Sequence, residues 1–183
     1  MESDQELREI PLSEATVFEG ILINVSHMQV RLPNGQTATR ELVHHRGGAA
    51  VVAVDENESV YLVRQHRVAV GEITLEIPAG KLEAYGADPY ESAVRELEEE
   101  TGLRAESVEL LTSAFPTPGY CMELLGIYLA TGLSQHENHL DPDEFLHVVK
   151  IPLKEAVARV MTGELRDAKT IIGLLMAWQK LHG

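Results

Sequence analysis

Six consecutive residues, Ala49-Ala50-Val51-Val52-Ala53-Val54, carry no polar side chain. A strand with one wet face alternates apolar and polar residues. A run without alternation suits a strand buried on both faces. Around it, Val60 to Gln65, Glu72 to Ile77, Val108 to Phe115, Leu124 to Ala130 and Phe145 to Ile151 also read as strands. Asp55 to Glu58 reads as a turn, and the polar stretch Ser134 to Glu144, with Pro142, as a loop. Three helices are predicted. One follows Asp88 as N-cap and Pro89 as its first residue, with Glu91 completing a capping-box-like pattern and Gly102 as the terminator. Its buried face is read as Tyr90, Ala93, Val94, Leu97 and Thr101. The second spans Leu153 to Met161 and stops before Gly163. The third is capped by Asp167 and presents Ile171, Leu174, Leu175, Trp178 and Leu181 as an apolar face. This order suits a mixed sheet covered by helices, an α/β fold.

Ahead of that core, residues 1–13 read as a loosely held arm. Thr16 to Val25 and His27 to Leu32 read as strands. Pro33-Asn34-Gly35-Gln36 is a hairpin signal, since Asn-Gly supplies positive φ, and Thr37 to Val43 follows as the partner strand. This antiparallel segment is too small to bury a core alone, so it is expected to pack on the main domain or on a second subunit. Gly47-Gly48 marks the boundary, giving an N-terminal β segment over 1–45 and a main domain over 46–183.

The 183 residues suffice for one well-packed domain with a small appendage, and 44% hydrophobic content argues against disorder. No apolar run approaches the roughly 18–20 residues of a membrane span, and the acidic start, MESDQELREIPL, is unlike a signal peptide. Cys121 is the one cysteine, which rules out an intrachain disulfide and fits a reducing cytoplasm. It is read as packing, not as a nucleophile. The histidines form no zinc spacing with a cysteine pair. A net charge of −14 disfavours nucleic acid. A small anionic substrate is compatible if metal ions and a few arginines reverse the local field.

Arg95-Glu96-Leu97-Glu98-Glu99-Glu100-Thr101-Gly102-Leu103 is where chemistry is expected. Glu96, Glu99 and Glu100 lie three and four apart and share one side of a helix. Such like charges repel by a few tenths of a kcal/mol per pair, and the dipole disfavours them at a helix C-terminal end by roughly 0.3–1 kcal/mol each. A divalent cation would reverse both effects, and oxygen-only ligation favours Mg²⁺ or Mn²⁺ over zinc. Without a cation the same residues read as a solvated acidic face, with Arg95 paired to Glu91 or Glu99.

Gly80 together with Arg95–Leu103 resembles the Nudix box, in which a glycine, five residues and a glutamate precede, after seven more, R-E-U-x-E-E-x-G-U with U a bulky aliphatic. The second half matches at every fixed position. The first half departs, because six residues separate Gly80 from Ala87, and Ala87 stands where the box has its glutamate. Leu62-Val63-Arg64-Gln65-His66-Arg67, Glu76-Ile77-Pro78-Ala79-Gly80-Lys81-Leu82-Glu83, Pro116-Thr117-Pro118-Gly119-Tyr120 and Asp167-Ala168-Lys169-Thr170 are similar to the ADP-ribose pyrophosphatase branch of the family. The resemblance implies an α/β/α sandwich and metal-dependent hydrolysis of ADP-ribose to AMP and ribose 5-phosphate. It implies Mg²⁺, with Mn²⁺ possible, on Glu96, Glu100 and the Ala79 carbonyl, with Arg95 and Glu99 in the catalytic set. Glu144 would bind metal or activate water, with Asp141 and Asp143 as other bearers of that role. Arg40, Arg64, Arg67, Glu76, Gly119 and Glu123 would bind substrate, Arg67 being favoured for phosphate. No aromatic partner for adenine is visible near Ile21 and Leu22. The expected partners are a nucleoside diphosphate substrate and a second copy of the chain, with residues 15–43 contributing to the partner's sheet or site, and neither nucleic acid nor membrane. Another nucleoside diphosphate sugar such as GDP-mannose, or a catalytically weak nucleotide sensor, are the alternatives.

Overall fold

The computed structural model describes residues 4–138, 140 and 145–183. They form two compact units, Met1–His45 with Thr117–Glu123, and Arg46–Pro116 with Leu124–Gly183. In the first unit a short helical turn (Asp4–Leu7) leads into three antiparallel strands, β1 (Ile10–Glu19), β2 (Asn24–Arg31) and β3 (Thr37–His44), in that spatial order. The loop 117–123 lies along β3, with Val43 N–H donating to the Tyr120 carbonyl at 2.7 Å and Met122 N–H to the Val43 carbonyl at 2.9 Å.

The second unit carries β4 (Gly48–Val54), β5 (Ser59–Arg67), β6 (Glu72–Glu76), β7 (Ala79–Lys81), α1 (Pro89–Thr101), β8 (Leu103–Ala114), β9 (Leu125–Gln135), β10 (Leu146–Pro152), α2 (Leu153–Met161) and α3 (Ala168–His182). The sheet runs β10-β5-β4-β9-β8, with β4 and β9 parallel and the other pairs antiparallel. Every residue of β4 is buried. Its alternate residues serve two cores: Ala50, Val52 and Val54 pack with Leu153, Leu174 and Ala177 of α2 and α3, while Ala49, Val51 and Ala53 pack with Ala93 and Leu97 of α1. This is the α/β/α sandwich.

A wedge opens between β4 and β5. These strands pair only at Ala53–Tyr61 and Val54–Val60. Beyond that they part, and Glu72–Lys81 fills the gap, with β6 on β5 and β7 on β4. Val51 N–H donates to the Pro78 carbonyl at 2.9 Å and stitches the crossing point.

Four expectations are corrected. Residues 10–13 belong to β1 and not to a loose arm. Thr16 to Val25 is not one strand, because the chain reverses at 20–23, where Gly20 N–H donates to the Ile23 carbonyl at 3.0 Å. The apolar residues there mimic a strand but occupy a hairpin tip, and Ile21 is 98% exposed. On α1, Tyr90 and Val94 are exposed, and the buried face is Ser92, Ala93, Glu96, Leu97, Glu100 and Thr101. On α3 the buried face is Thr170, Gly173, Leu174 and Ala177, whereas Leu175 and Leu181 are exposed. Small residues carry that contact because the helix lies so close to the sheet. A Cβ on Gly173 would come within 2.8 Å of Val52 and 3.0 Å of Ile77.

Candidate active site

α1 begins and ends where its sequence says. The Asp88 side chain accepts from Tyr90 N–H at 2.9 Å, and Gly102 closes the helix at φ 69°. Two of the three carboxylates that looked like a solvated face are buried, while Glu99 keeps 34% of its side chain exposed. Glu96 is 7% exposed and Glu100 2%. Glutamates are almost never buried without partners. Four residues apart, both point to the side of α1 that meets the turn around Ala79 and Gly80. Ala79 N–H donates to Glu100 Oε2 at 3.1 Å, and the Glu96 carboxylate lies so near Gly80 that an added Cβ would overlap its Cδ and both oxygens. Ala79, Gly80, Glu96 and Glu100 are therefore brought together.

Arg95 gathers the acids of the same helix. Its guanidinium donates to Glu99 Oε2 at 2.5 Å and to Glu96 Oε1 at 2.7 Å, and its Nε lies 3.7 Å from Glu83 Oε1. Partial burial opposes its charge, and the fields of Glu96 and Glu99 outweigh that and raise its pKa. Of the two partners expected for Arg95, Glu99 is one and Glu91 is not. Among the described residues no three His, Cys, Asp or Glu side chains converge as a metal-binding group. The oxygen atoms brought together here are those of the two buried carboxylates, hard ligands of the kind that divalent cations take.

The β5–β6 hairpin, the α2–α3 loop and the start of α3 line an open pocket of about 840 Å³, whose lining includes Arg64, Arg67, Thr74, Glu76, Arg166 and Lys169. Strand alternation assigns Arg64 and Arg67 to opposite faces, yet both border the cavity, because it wraps around β6 and is lined by all five of its residues. Arg67 donates through Nε to Glu76 Oε1 at 2.8 Å and through Nη2 to Glu76 Oε2 at 2.7 Å, a two-pronged pair. Glu76 is 1% exposed. Its burial opposes ionisation, but Arg67, Lys169 and the Thr74 hydroxyl outweigh that and lower its pKa to about 2. Glu76 thus stays anionic throughout the neutral range. The Arg67 pKa is raised, foremost by Glu76 against the opposing effect of burial, with smaller contributions from Asp167 and Glu100. Of the two buried carboxylates of α1, the field of Glu100 reaches Arg67.

Of the remaining expected residues, those described belong to the first unit. Arg40 donates through Nε to Glu9 Oε2 at 3.0 Å. Glu123 lies 3.5 Å from His45 Nδ1, and Gly119 is exposed in the turn closed by Tyr120 and Cys121 N–H to the Thr117 carbonyl. Glu144, Asp141 and Asp143 lie outside the described residues. Glu83, Thr74 and Lys169 were missed as participants. Glu83 and Lys169 stood in the motifs already quoted, but nothing in linear spacing shows that Lys169 meets Glu76, 93 residues away.

A family profile, the NUDIX domain, matches residues 44–172. The chain is 41% identical over 160 residues to a methanol dehydrogenase activator of Bacillus methanolicus, covering 86% of each chain. It is 39% identical over 166 residues to an ADP-ribose pyrophosphatase of Bacillus subtilis, covering 90% of this chain and 89% of the other. Its fold matches a crystal structure described as an ADP compounds hydrolase with a TM-score of 0.81 and 24% identity, over 96% of this chain and 95% of that one.

Proposed function

The chain belongs to the Nudix domain family, and on that premise we propose that it hydrolyses the pyrophosphate of ADP-ribose to AMP and ribose 5-phosphate in a divalent-metal-dependent reaction. The observation that carries the reading is the buried Glu96–Glu100 pair against the Ala79–Gly80 turn. The ADP-ribose pyrophosphatase of Bacillus subtilis supports the choice of substrate.

Glu96, Glu100 and the Ala79 carbonyl would hold Mg²⁺, or Mn²⁺ in its place. When bound, the cation neutralises pyrophosphate charge and makes water a stronger nucleophile. The protein's own groups do the rest. Arg67 is tied to Glu76 through Nε and Nη2, so Nη1 is the amine turned to a phosphate oxygen, a contact that stabilises charge on the leaving phosphate. Arg64 borders the same cavity and adds positive potential. Arg95 holds Glu99 and restrains the Glu96 carboxylate from the other side. Glu144 is assigned the proton of the attacking water, with Asp141 and Asp143 as the other acids of that loop. Arg40, Gly119 and Glu123 are assigned to the nucleoside by family resemblance.

Two further assignments are ours. The chain works as a homodimer through residues 1–45, and the single Cys121 suits a reducing cytoplasm. Among the described residues no helix is long and apolar enough to cross a membrane. Ala87 at the place of the first box glutamate favours one second reading, a weakly catalytic nucleotide-binding module.

The test is a substrate panel with product analysis. ADP-ribose, GDP-mannose and other nucleoside diphosphate sugars are incubated with Mg²⁺ or Mn²⁺. ADP-ribose is expected to give the highest kcat/KM, with AMP and ribose 5-phosphate in equal amounts and no reaction in chelator. A higher kcat/KM for GDP-mannose would move the substrate assignment. Binding without turnover of any member would establish the sensor reading.

A further inference from the structure

The segment Asp167-Ala168-Lys169-Thr170 has no part in the chemistry above, yet its side chains converge on the strand that carries the site. Asp167 caps α3: its Oδ2 accepts from Thr170 N–H at 3.0 Å and from the Thr170 hydroxyl at 2.6 Å. The same hydroxyl oxygen accepts from Ile77 N–H at 2.9 Å, and Thr170 is fully buried. Lys169 donates to Asp167 Oδ1 at 3.0 Å and, in a short contact, to Glu76 Oε2. Only 14% of the Lys169 side chain is exposed. One residue pins the side chain of Glu76 and the next pins the backbone of Ile77. Two residues on, Ala79 N–H reaches Glu100.

The Glu76 carboxylate is fully engaged as a result. Oε1 accepts from Arg67 Nε at 2.8 Å and from the Thr74 hydroxyl at 2.5 Å. Oε2 accepts from Arg67 Nη2 at 2.7 Å and from Lys169. A carboxylate offers about four lone-pair sites, so no rotation is left to it, and the guanidinium it holds has one orientation. Charge counting gives Lys169 a second task. With it, Glu76 and Asp167 face Lys169 and Arg67, and the cluster is neutral. Without it, two carboxylates face one guanidinium, and Asp167, whose field already reaches Arg67, would draw Arg67 away from Glu76.

We propose that Lys169 is a positioning residue for Arg67: it locks the Glu76 carboxylate and shields Arg67 from Asp167, so that the start of α3 sets how the phosphate-binding guanidinium is presented. This rests on the reading of Arg67 as a pyrophosphate contact.

The test uses the full chain with Lys169→Met, Lys169→Arg, Arg67→Gln and the double variant Lys169→Met/Arg67→Gln. kcat and KM are measured for ADP-ribose with Mg²⁺. Lys169→Met should lower kcat/KM by about 10- to 100-fold, the scale of a 1 Å misplacement, and Lys169→Arg should restore most of it. In the Arg67→Gln background the same change should cost less than about threefold, because residues acting through one another are not additive. Losses that multiply, or an unchanged kcat/KM in Lys169→Met, would overturn the proposal. A readout without substrate separates it from the pyrophosphatase reading: the Arg67 Nε–H resonance, slow to exchange in wild type and Lys169→Arg, should be lost in Lys169→Met. A wild type inactive on every substrate would refute the pyrophosphatase reading. The resonance would then decide the positioning role, and its persistence in Lys169→Met would refute that role.

Discussion

Gly80 is outside left-handed backbone, so its requirement for glycine is one of space. The atoms an added Cβ would overlap are the far end of Glu96, a flexible side chain that can swing away at little cost to folding. Gly80→Ala should therefore separate function from stability. The Glu96 carboxylate would move by about 1 Å or more, on the scale that costs on the order of 10²-fold in rate. We expect kcat/KM for ADP-ribose to fall by about that factor and half-maximal activation to need more Mg²⁺. The melting temperature should fall by no more than a few degrees. A variant that keeps both wild-type kcat/KM and wild-type Mg²⁺ dependence would remove Glu96 from the metal site. At this scale the sequence was informative about identity and blind to depth. Spacing named Glu96, Glu99 and Glu100 together and the family resemblance picked Glu96 and Glu100 from them, but the spacing also read as a wet face. Their burial depends on the Ala79–Gly80 turn, which is folded against α1 from a different part of the chain.

The elements most legible beforehand were those with local causes. Asp88-Pro89 and Gly102 fix the ends of α1, Asp167 fixes the start of α3, and the unbroken apolar run of β4 fixes the sheet centre. The elements misjudged were those set by tertiary packing: the side of α1 that Tyr90 and Val94 occupy, and the small-residue face of α3. The departure at Ala87 belongs here, because it concerns how α1 holds its arginine. Glu83 stands in for the missing acid only loosely. It lies 3.7 Å from Arg95 Nε with a side chain 76% exposed, and such pairs are worth roughly 0–1 kcal/mol. Arg95 relies instead on Glu99 and Glu96, the second of which is a proposed metal ligand. Ala87→Glu should let Arg95 bind an acid outside the metal set and raise kcat/KM for ADP-ribose by less than about tenfold, or roughly 1.4 kcal/mol of transition-state stabilisation. An inactive wild type restored by Ala87→Glu would identify the natural chain as a sensor. A fall in kcat/KM would mean that the contact between Arg95 and Glu83 is the functional one.

At the scale of the whole molecule, the first unit poses a burial problem that one chain leaves open. A three-stranded sheet needs cover on one face to be stable in water. Every residue of β1 is exposed, and Leu7, Ile10, Leu12, Val17, Phe18, Ile21 and Leu22 each expose between 43% and 98% of their surface. Single exposed apolar residues are ordinary, but seven of them within sixteen residues of one small sheet and its hairpin mark a candidate interaction surface. The sequence hinted at this, because the hairpin segment lacked a core of its own. It did not reveal that the strand began at Ile10, since Glu9, Pro11 and Ser13 break the apolar pattern around it. Two copies sharing this surface would cover it, whereas a net charge of −14 on each chain opposes close approach through acidic faces. The contact should then be carried by the apolar strands and strengthen with salt. Sedimentation at micromolar concentration should give twice the mass of one chain, and Phe18→Asp with Ile21→Asp should shift the balance toward single chains. A single-chain mass for the wild type across salt concentrations would refute the dimer. If instead the double variant is a single chain with wild-type kcat/KM, the second copy covers the sheet without completing the site.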